Sequence, residues 1–351
     1  MSALKVGLIG YGIAGAVFHA PLIAANQNLR LDAVVTANPQ RRAKIEQDHP
    51  GTAVVDDLDA LLERRPDLVV VASPNRTHYE LTRALVDAGV PVVVDKPFVP
   101  TSKQGRELIE HAAREDVPLT VFQNRRWDND LLTVRALIEA GELGPVHRFE
   151  SRFERWVPTP KPGWRESGGA EEAGGVLYDL GSHLVDQALL LFGPVESVYA
   201  QVDRRRPGVE VDDDSFIALT HTGGVRSHLW MSKFAAQHGP RFRVLGDRAA
   251  YTKYGLDPQE AAMGAGGGPA DPGWGEEPQE LWGQLGTVGE SRTVPTEPGR
   301  YQAFYDAVVS ALRDGGPLPV DPRDSVAGIE IIEAARRSAE NGTVERLVQE
   351  G

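Results

Sequence analysis

Four short clusters in this 351-residue chain have the residue types and spacing to do chemistry. Gly10-Tyr11-Gly12-Ile13-Ala14-Gly15 follows the apolar run Lys5–Ile9 and opens an apolar helical pattern. In such a unit the first glycine makes a tight turn, the second lets backbone approach a pyrophosphate, and the third lets helix pack on strand. The free N–H groups of the helix start then face the phosphates. Ser73-Pro74-Asn75-Arg76-Thr77-His78 follows the apolar run Leu68–Ala72, with Asn75 open to two readings, helix N-cap or ligand contact. Asp95-Lys96-Pro97 follows Val92–Val94 and holds one of only seven lysines, beside a carboxylate at the end of a buried strand. That placement points to a functional lysine. In the fourth cluster, Gly174 to Asp186, Asp179 and His183 stand four apart on an apolar pattern. On a helix they share one face, either as a satisfied buried hydrogen-bonded pair or as a working pair. No third His or Glu stands at ligand spacing, so no metal is expected. With no cysteine in the chain, catalytic work falls to Lys, His, Asp, Glu, Tyr or a cofactor.

The elements that must position these clusters alternate over the first third of the chain. Strands are expected at Lys5–Ile9, Leu31–Thr36, Ala53–Val55, Leu68–Ala72, Val92–Asp95 and Leu119–Phe122, with amphipathic helical stretches between them. Apolar strands in repeated βα units mean a parallel sheet covered on both faces, whose ligands bind beyond the carboxyl ends of the strands. The glycine, Ser-Pro-Asn and Asp-Lys-Pro clusters all lie at such ends. After Asn129 the rhythm changes to a helix, a long strand, a Pro/Gly-rich loop, one apolar helix over Val176–Phe192, and then long strands joined by short turns, the pattern of an α+β domain with a mostly antiparallel open sheet. Residues 255–299 lack apolar periodicity and read as a functional loop. The expected division is a dinucleotide-binding domain over 1–123 and a substrate-binding and oligomerisation domain over 124–351.

Taken in order, the glycine fingerprint, Ser-Pro-Asn-x-x-His, Asp-Lys-Pro and Gly-Gly-x-x-x-Asp-x-Gly-x-His resemble the glucose-fructose oxidoreductase / inositol dehydrogenase / rhizopine-catabolism (Gfo/Idh/MocA) family. Asn124-Arg125-Arg126-Trp127-Asp128, Tyr178-Asp179-Leu180-Gly181 and Lys253 to Gln259 are similar to its NADP-dependent scyllo-inositol dehydrogenase branch. The resemblance implies a Rossmann domain and an α+β partner. It implies that Lys96, Asp179 and His183 face the nicotinamide, that Gly10, Gly12, Ile13, Ala14 and Gly15 lie along the pyrophosphate, that Ser73, Pro74, Asn75 and His78 meet the cofactor, and that Arg125 meets substrate. Trp164 and Arg165 are further candidate polyol contacts. The chain departs from the family in carrying Asp95 where Glu is common, and Asp95 is left out of the catalytic set. The chemistry agrees with these residue types. Oxidising a secondary alcohol needs a base of near-neutral pKa, which histidine supplies, and a cation to favour the developing alkoxide, which lysine supplies. Asp179 would orient the imidazole or relay its proton.

Cofactor choice is read at the end of the second strand. An NAD site normally has Asp or Glu there, about 20 residues past the glycine turn. Here the strand ends Val35-Thr36-Ala37-Asn38, with Arg41 and Arg42 following. Thr36 and Asn38 can donate hydrogen bonds and the guanidinium of Arg41 or Arg42 can pair with a 2′-phosphate, so NADP is expected, with NAD as the alternative. A net charge of −13 without a basic stripe excludes a nucleic-acid partner. The absence of a long apolar run excludes a membrane span, and the early first strand leaves no room for a signal peptide, so a cytoplasmic homo-oligomer (dimer or tetramer) is expected. Two other readings keep the same fold: a sugar-modifying enzyme that oxidises only transiently, and a cofactor-binding sensor.

Overall fold

The computed structural model describes residues 2–160 and 174–347. Its contacts divide the chain into two compact units, each built from three stretches. The first comprises Met1–Asn124, Gln259–Trp274 and Arg300–Val326, and the second Arg125–Pro258, Gly275–Gly299 and Ala327–Gly351. The first crossing falls after Asn124, five residues before the change of rhythm at Asn129. The two later returns to the first unit differ from the expected uninterrupted stretch 124–351.

In the first unit β1 (Leu4–Ile9), β2 (Leu29–Val35), β3 (Ala53–Val55), β4 (Leu68–Val71), β5 (Val92–Asp95) and β6 (Leu119–Phe122) form a parallel sheet in the order β3-β2-β1-β4-β5-β6. The order reverses between β1 and β4, the crevice where doubly wound sheets bind ligands. Val6, Leu8, Val69, Val70, Val71, Val93 and Val94 are buried because helices cover both faces. Those helices are α1 (Ala20–Ala25), α2 (Pro39–Asp48), α3 (Leu58–Leu62), α4 (His78–Asp87) and α5 (Ser102–Arg114). α1 is entered through a wide π-type turn, Ala14–His19.

The second unit opens with α6 (Asn129–Glu139) and β7 (Val146–Glu154). The apolar stretch expected as one helix is two, α7 (Val176–Asp179) and α8 (Gly181–Phe192), joined at Leu180. Five strands follow: β8 (Val195–Asp203), β9 (Asp214–His221), β10 (Arg226–Ser232), β11 (Phe242–Gly246) and β12 (Ala250–Lys253). Part of the stretch read as loop is regular: α9 (Gln259–Gly264) and the hairpin β13 (Gly283–Thr287) and β14 (Glu290–Val294). Its strands escaped the pattern because only Gly283, Leu285 and Val294 are buried, too few to give an apolar period. α10 (Gln302–Asp314), α11 (Pro322–Asn341) and β15 (Glu345–Arg346) close the described chain. The sheet order is β14-β13-β12-β11-β7-β10-β9-β8-β15, antiparallel except for the β7–β10 pair. Alternate residues Phe149, Phe153, Ile217, Leu219, Leu229, Met231, Phe242 and Val244 enter one core with α8. The opposite face carries half-buried Phe216, His228, Trp230 and Arg152. Among the described residues no helix is long and apolar enough to cross a membrane.

Candidate active site

In the first unit the glycine turn behaves as its spacing requires. Gly10 has φ +97°, and a Cβ there would stand 2.6 Å from the Ala72 carbonyl oxygen. A Cβ on Gly15 would stand 2.2 Å from the Gly10 carbonyl oxygen, so the third glycine lets the helix close on the turn. A Cβ on Gly12 would meet only Arg41 Nη2, at 4.0 Å. The middle glycine therefore borders open space that a pyrophosphate can enter, and Ile13 beside it is 60% exposed. Thus the chain presents a cradle that side chains would fill, which is the test a dinucleotide site must pass.

At the end of β2, Thr36 is buried and its hydroxyl accepts from the Asn38 backbone N–H at 3.3 Å. Asn38 caps α2, its Oδ1 accepting from the N–H groups of Gln40 (3.0 Å) and Arg41 (3.1 Å). Its amide nitrogen is left for donation. Arg42 pairs with Asp56, whereas Arg41 makes no ion pair among the described residues. Asn75 opens a single 3-10 turn, Asn75–Thr77, whose N-cap is Pro74, so the capping role does not fall to Asn75. Ser73 and Thr77 hydroxyls are 2.6 Å apart, and Thr77 donates to the Pro74 carbonyl at 2.7 Å.

His78 is fully buried. Its Nε2 lies 3.0 Å from Ser73 O, and its Nδ1 lies 3.0 and 3.2 Å from the carbonyl oxygens of Pro97 and Phe98. The ring fastens the loop after β4 to the Lys96-Pro97-Phe98 segment after β5. Asp95, at the end of β5, has His19 Nε2 at 3.5 Å. Burial works against ionisation of Asp95, but His19 and the charges of Lys96 and His78 outweigh it and hold the carboxyl below its ordinary range. His19 Nδ1 in turn lies 2.7 Å from the Tyr305 hydroxyl, all of it buried.

In the second unit Asp179 is the last residue of α7 and His183 lies in the first turn of α8, so the joint at Leu180 separates the two. His183 is buried and Asp179 half-buried. The joint is close-packed: a Cβ on Gly181 would meet Met231 Sδ at 2.9 Å. α7 starts on Asp212, whose carboxylate accepts from the Leu177 N–H at 2.7 Å and whose backbone carbonyl accepts from the Val176 N–H at 3.0 Å. Gly175, with φ +88°, brings its backbone so near that a Cβ would stand 2.0 Å from Asp212 Oδ1. Burial raises the Asp212 carboxyl above its ordinary range, against the Leu177 N–H, the Arg336 charge and the Ser215 hydroxyl.

α8 is held from below by charged pairs. Arg126 grips Asp186 through two hydrogen bonds, Nε at 2.9 Å and Nη2 at 2.7 Å. Arg241 donates to Asp130 (2.9 Å) and to Gln187 (2.8 Å), and Gln187 donates to the Arg125 carbonyl (3.1 Å). Arg125 itself is buried, bonded to Asp128 at 3.2 Å and seated 4.6 Å over the Phe153 ring. Trp164 and Arg165 lie outside the described residues. Among the described residues no group of three His, Cys, Asp or Glu could hold a metal ion. The sequence clusters did not include His19, Tyr305, Asp212 or Arg241, and gave Asp186 no role. Asp212 carried a detectable signal, as one of three consecutive aspartates leading into a strand; Tyr305 carried none.

Two family models match this chain: "Oxidoreductase family, NAD-binding Rossmann fold" over residues 4–123 and "Oxidoreductase family, C-terminal alpha/beta domain" over 135–347. The chain belongs to the Gfo/Idh/MocA oxidoreductase family, with an NAD(P)-binding Rossmann domain followed by an α/β domain. It is 36% identical over 344 residues to scyllo-inositol 2-dehydrogenase (NADP(+)) IolW of Bacillus subtilis, covering 97% of this chain and 94% of that protein. It is 40% identical over 343 residues to the uncharacterized oxidoreductase YdgJ of Escherichia coli, covering 96% and 97%. The solved structure of yvaA from Bacillus subtilis matches with a TM-score of 0.94 at 34% identity, covering 99% of each chain.

Proposed function

We propose that this oxidoreductase is an NADP-dependent dehydrogenase of a secondary alcohol on a cyclic polyol of the scyllo-inositol type. The observation that carries the cofactor half is Arg41: its guanidinium stands beside the open middle glycine with no acidic partner among the described residues, where β2 ends without a carboxylate. The similarity to a scyllo-inositol 2-dehydrogenase over 97% of the chain supports the substrate half. In this reading Gly10, Gly12, Ile13, Ala14 and Gly15 border the pyrophosphate, Thr36, Asn38 and Arg41 take the ribose phosphate, and Ser73, Pro74, Asn75 and Lys96 border the nicotinamide half, with His78 behind them. The bound nicotinamide supplies the hydride acceptor.

The protein's own residues manage the proton. His183 removes it from the hydroxyl, Asp179 keeps the imidazole oriented, and the Lys96 ammonium donates a hydrogen bond to the alcohol oxygen as it becomes negative. Arg125, with Trp164 and Arg165, binds the remaining hydroxyls. A second copy of the chain is proposed to cover the half-buried face of the nine-stranded sheet. Its Phe216 and Trp230 rings, 5.0 Å apart, and the Arg152 guanidinium, 3.9 Å over Trp230, are the aromatic and arginine composition of an interface core. The deciding experiment follows reduction of NADP and NAD against a panel of inositols and aldoses. The expected result is turnover of a cyclic polyol with kcat/KM at least about tenfold higher for NADP, the ~1.4 kcal/mol of one charge-assisted contact. Equal use of both cofactors, or turnover of aldoses alone, refutes it.

A further inference from the structure

We propose that His19 and Tyr305 form, with Asp95, a buried positioning line that seats the carboxylate beside Lys96 and ties the lysine's strand end to the helix leaving the glycine turn. The inference rests on the reading of Lys96 given above and concerns residues that none of the sequence clusters assigns a role. All three groups lie in the first unit. His19 closes the π-type turn that begins at Ala14, Asp95 is the last residue of β5, and Tyr305 lies on α10.

The hydrogen-bond roles follow from chemistry. An ionised carboxylate only accepts, so the ring proton facing Asp95 belongs on Nε2. His19 Nδ1 then accepts from the Tyr305 hydroxyl at 2.7 Å. That direction suits the phenol, whose pKa burial and the Asp95 charge push well above its ordinary value, leaving it a donor. The Nε2 to Asp95 Oδ1 separation, 3.5 Å, is longer than a good hydrogen bond, so this contact acts chiefly as N–H dipole against charge. The ring is held in place by Phe122, 4.3 Å away, and by Tyr305 edge-on at 6.2 Å. The charged and titratable groups facing Asp95 are His19 from the turn, Lys96 from its own strand end, His78 from α4 and Tyr305 from α10. Without His19, burial would gain weight and the Asp95 carboxyl would take up its proton at higher pH.

The test uses the full-length protein with three substitutions. His19→Phe keeps the ring packed on Phe122 but removes both nitrogens, Tyr305→Phe removes only the hydroxyl, and Asp95→Asn removes the charge. The first readout is the carboxyl titration of Asp95, followed by NMR of protein carrying 13C-carboxyl aspartate and assigned through the Asp95→Asn spectrum. His19→Phe should raise that titration by at least about half a pH unit, and Tyr305→Phe should raise it in the same direction. The second readout is turnover. His19→Phe should lower kcat about tenfold or more with the dissociation constant for NADPH little changed, as expected for a misplaced rather than missing group. The double variant His19→Phe/Asp95→Asn should be no slower than Asp95→Asn alone, since the two act as one unit. An Asp95 titration unmoved in folded His19→Phe, or losses that add in the double variant, overturns the proposal. The titration does not depend on finding a substrate. If no polyol is turned over, the reading of Lys96 falls while the carboxyl shift still decides whether the line exists.

Discussion

Replacing Lys96 or His183 by alanine is expected to lower kcat by about 10² to 10⁴, the usual cost of losing a proton-handling group. NADPH binding, followed by fluorescence, should survive in both, and near-normal kcat in either variant removes that residue from the mechanism. The two arginines after β2 should behave differently from each other. Arg42 is occupied by Asp56 and Arg41 is not, so Arg41→Ala should cost about tenfold in preference for NADP over NAD, and Arg42→Ala much less. Equal erosion by both would show that the Asp56 pair opens for the cofactor. The glycine turn was legible in the sequence because each glycine answers a local need: a positive φ at Gly10, a close approach at Gly15, open space at Gly12. Other groups were not legible, because their partners are remote. Tyr305 meets His19 across 286 positions, and Asp186 meets Arg126 across 60. No local pattern encodes such pairs.

Among the elements, β4, β5 and β6 were found to within one residue, since burial on both faces leaves no polar alternation to mislead, whereas β2, with Arg30 exposed, begins two residues before the expected Leu31. The helix over 176–192 was read as continuous, but it breaks at Leu180, beside Gly181, which packs against Met231 of a remote strand. The start of that helix pair gives the next predictions. Gly175→Ala forces a Cβ onto Asp212 Oδ1 at a left-handed position, and should destabilise the protein by about 1–3 kcal/mol, seen as a lower Tm with impaired turnover. An unchanged Tm would mean that Asp212 can move aside freely. Asp212 also gives a pH dependence of definite sign. Its folded carboxyl is raised above the ordinary 3.8, so the folded state holds the proton more tightly than the unfolded chain. The stability this confers is present below the ordinary value and is lost as pH rises through the folded one. Relative to Asp212→Asn, which does not titrate, the unmodified protein should therefore hold more of its advantage at pH 4 than at pH 7, as read by urea unfolding at the two pH values. An advantage that grows with pH would contradict the burial of this carboxyl.

At the scale of the molecule, Trp230→Glu is expected to convert an oligomer to a monomer in light scattering at micromolar concentration, because a buried unpaired carboxylate at an interface core is costly. A monomeric unmodified protein would refute the proposed second copy. The family resemblance was legible from four motifs in order. The return of 259–274 and 300–326 to the first unit was not. The apolar stripe of α10, Phe304, Tyr305, Val308 and Val309, marks an amphipathic helix but carries no label for the core it joins.

That return has a bearing on how the chain is made. Phe122, at the end of the sixth strand, packs 4.9 Å from Phe304 and 6.0 Å from Tyr305, and Phe18 lies 6.5 Å from Tyr301. At ribosomal speeds of about 5–20 residues per second, the stretch from Phe122 to Tyr305 takes roughly ten to forty seconds to synthesise. Throughout that interval the nascent first unit holds its sheet without the helix that seals one end, leaving Phe18, His19 and Phe122 open to solvent. A fragment ending at Asn124 should accordingly show strand and helix signals by circular dichroism but no cooperative melting, and should exchange the amide hydrogens around Phe122 rapidly. Addition of a peptide spanning residues 300–326 should restore protection there. The glycine turn is thus written at the start of the message, while the wall behind it arrives near the end.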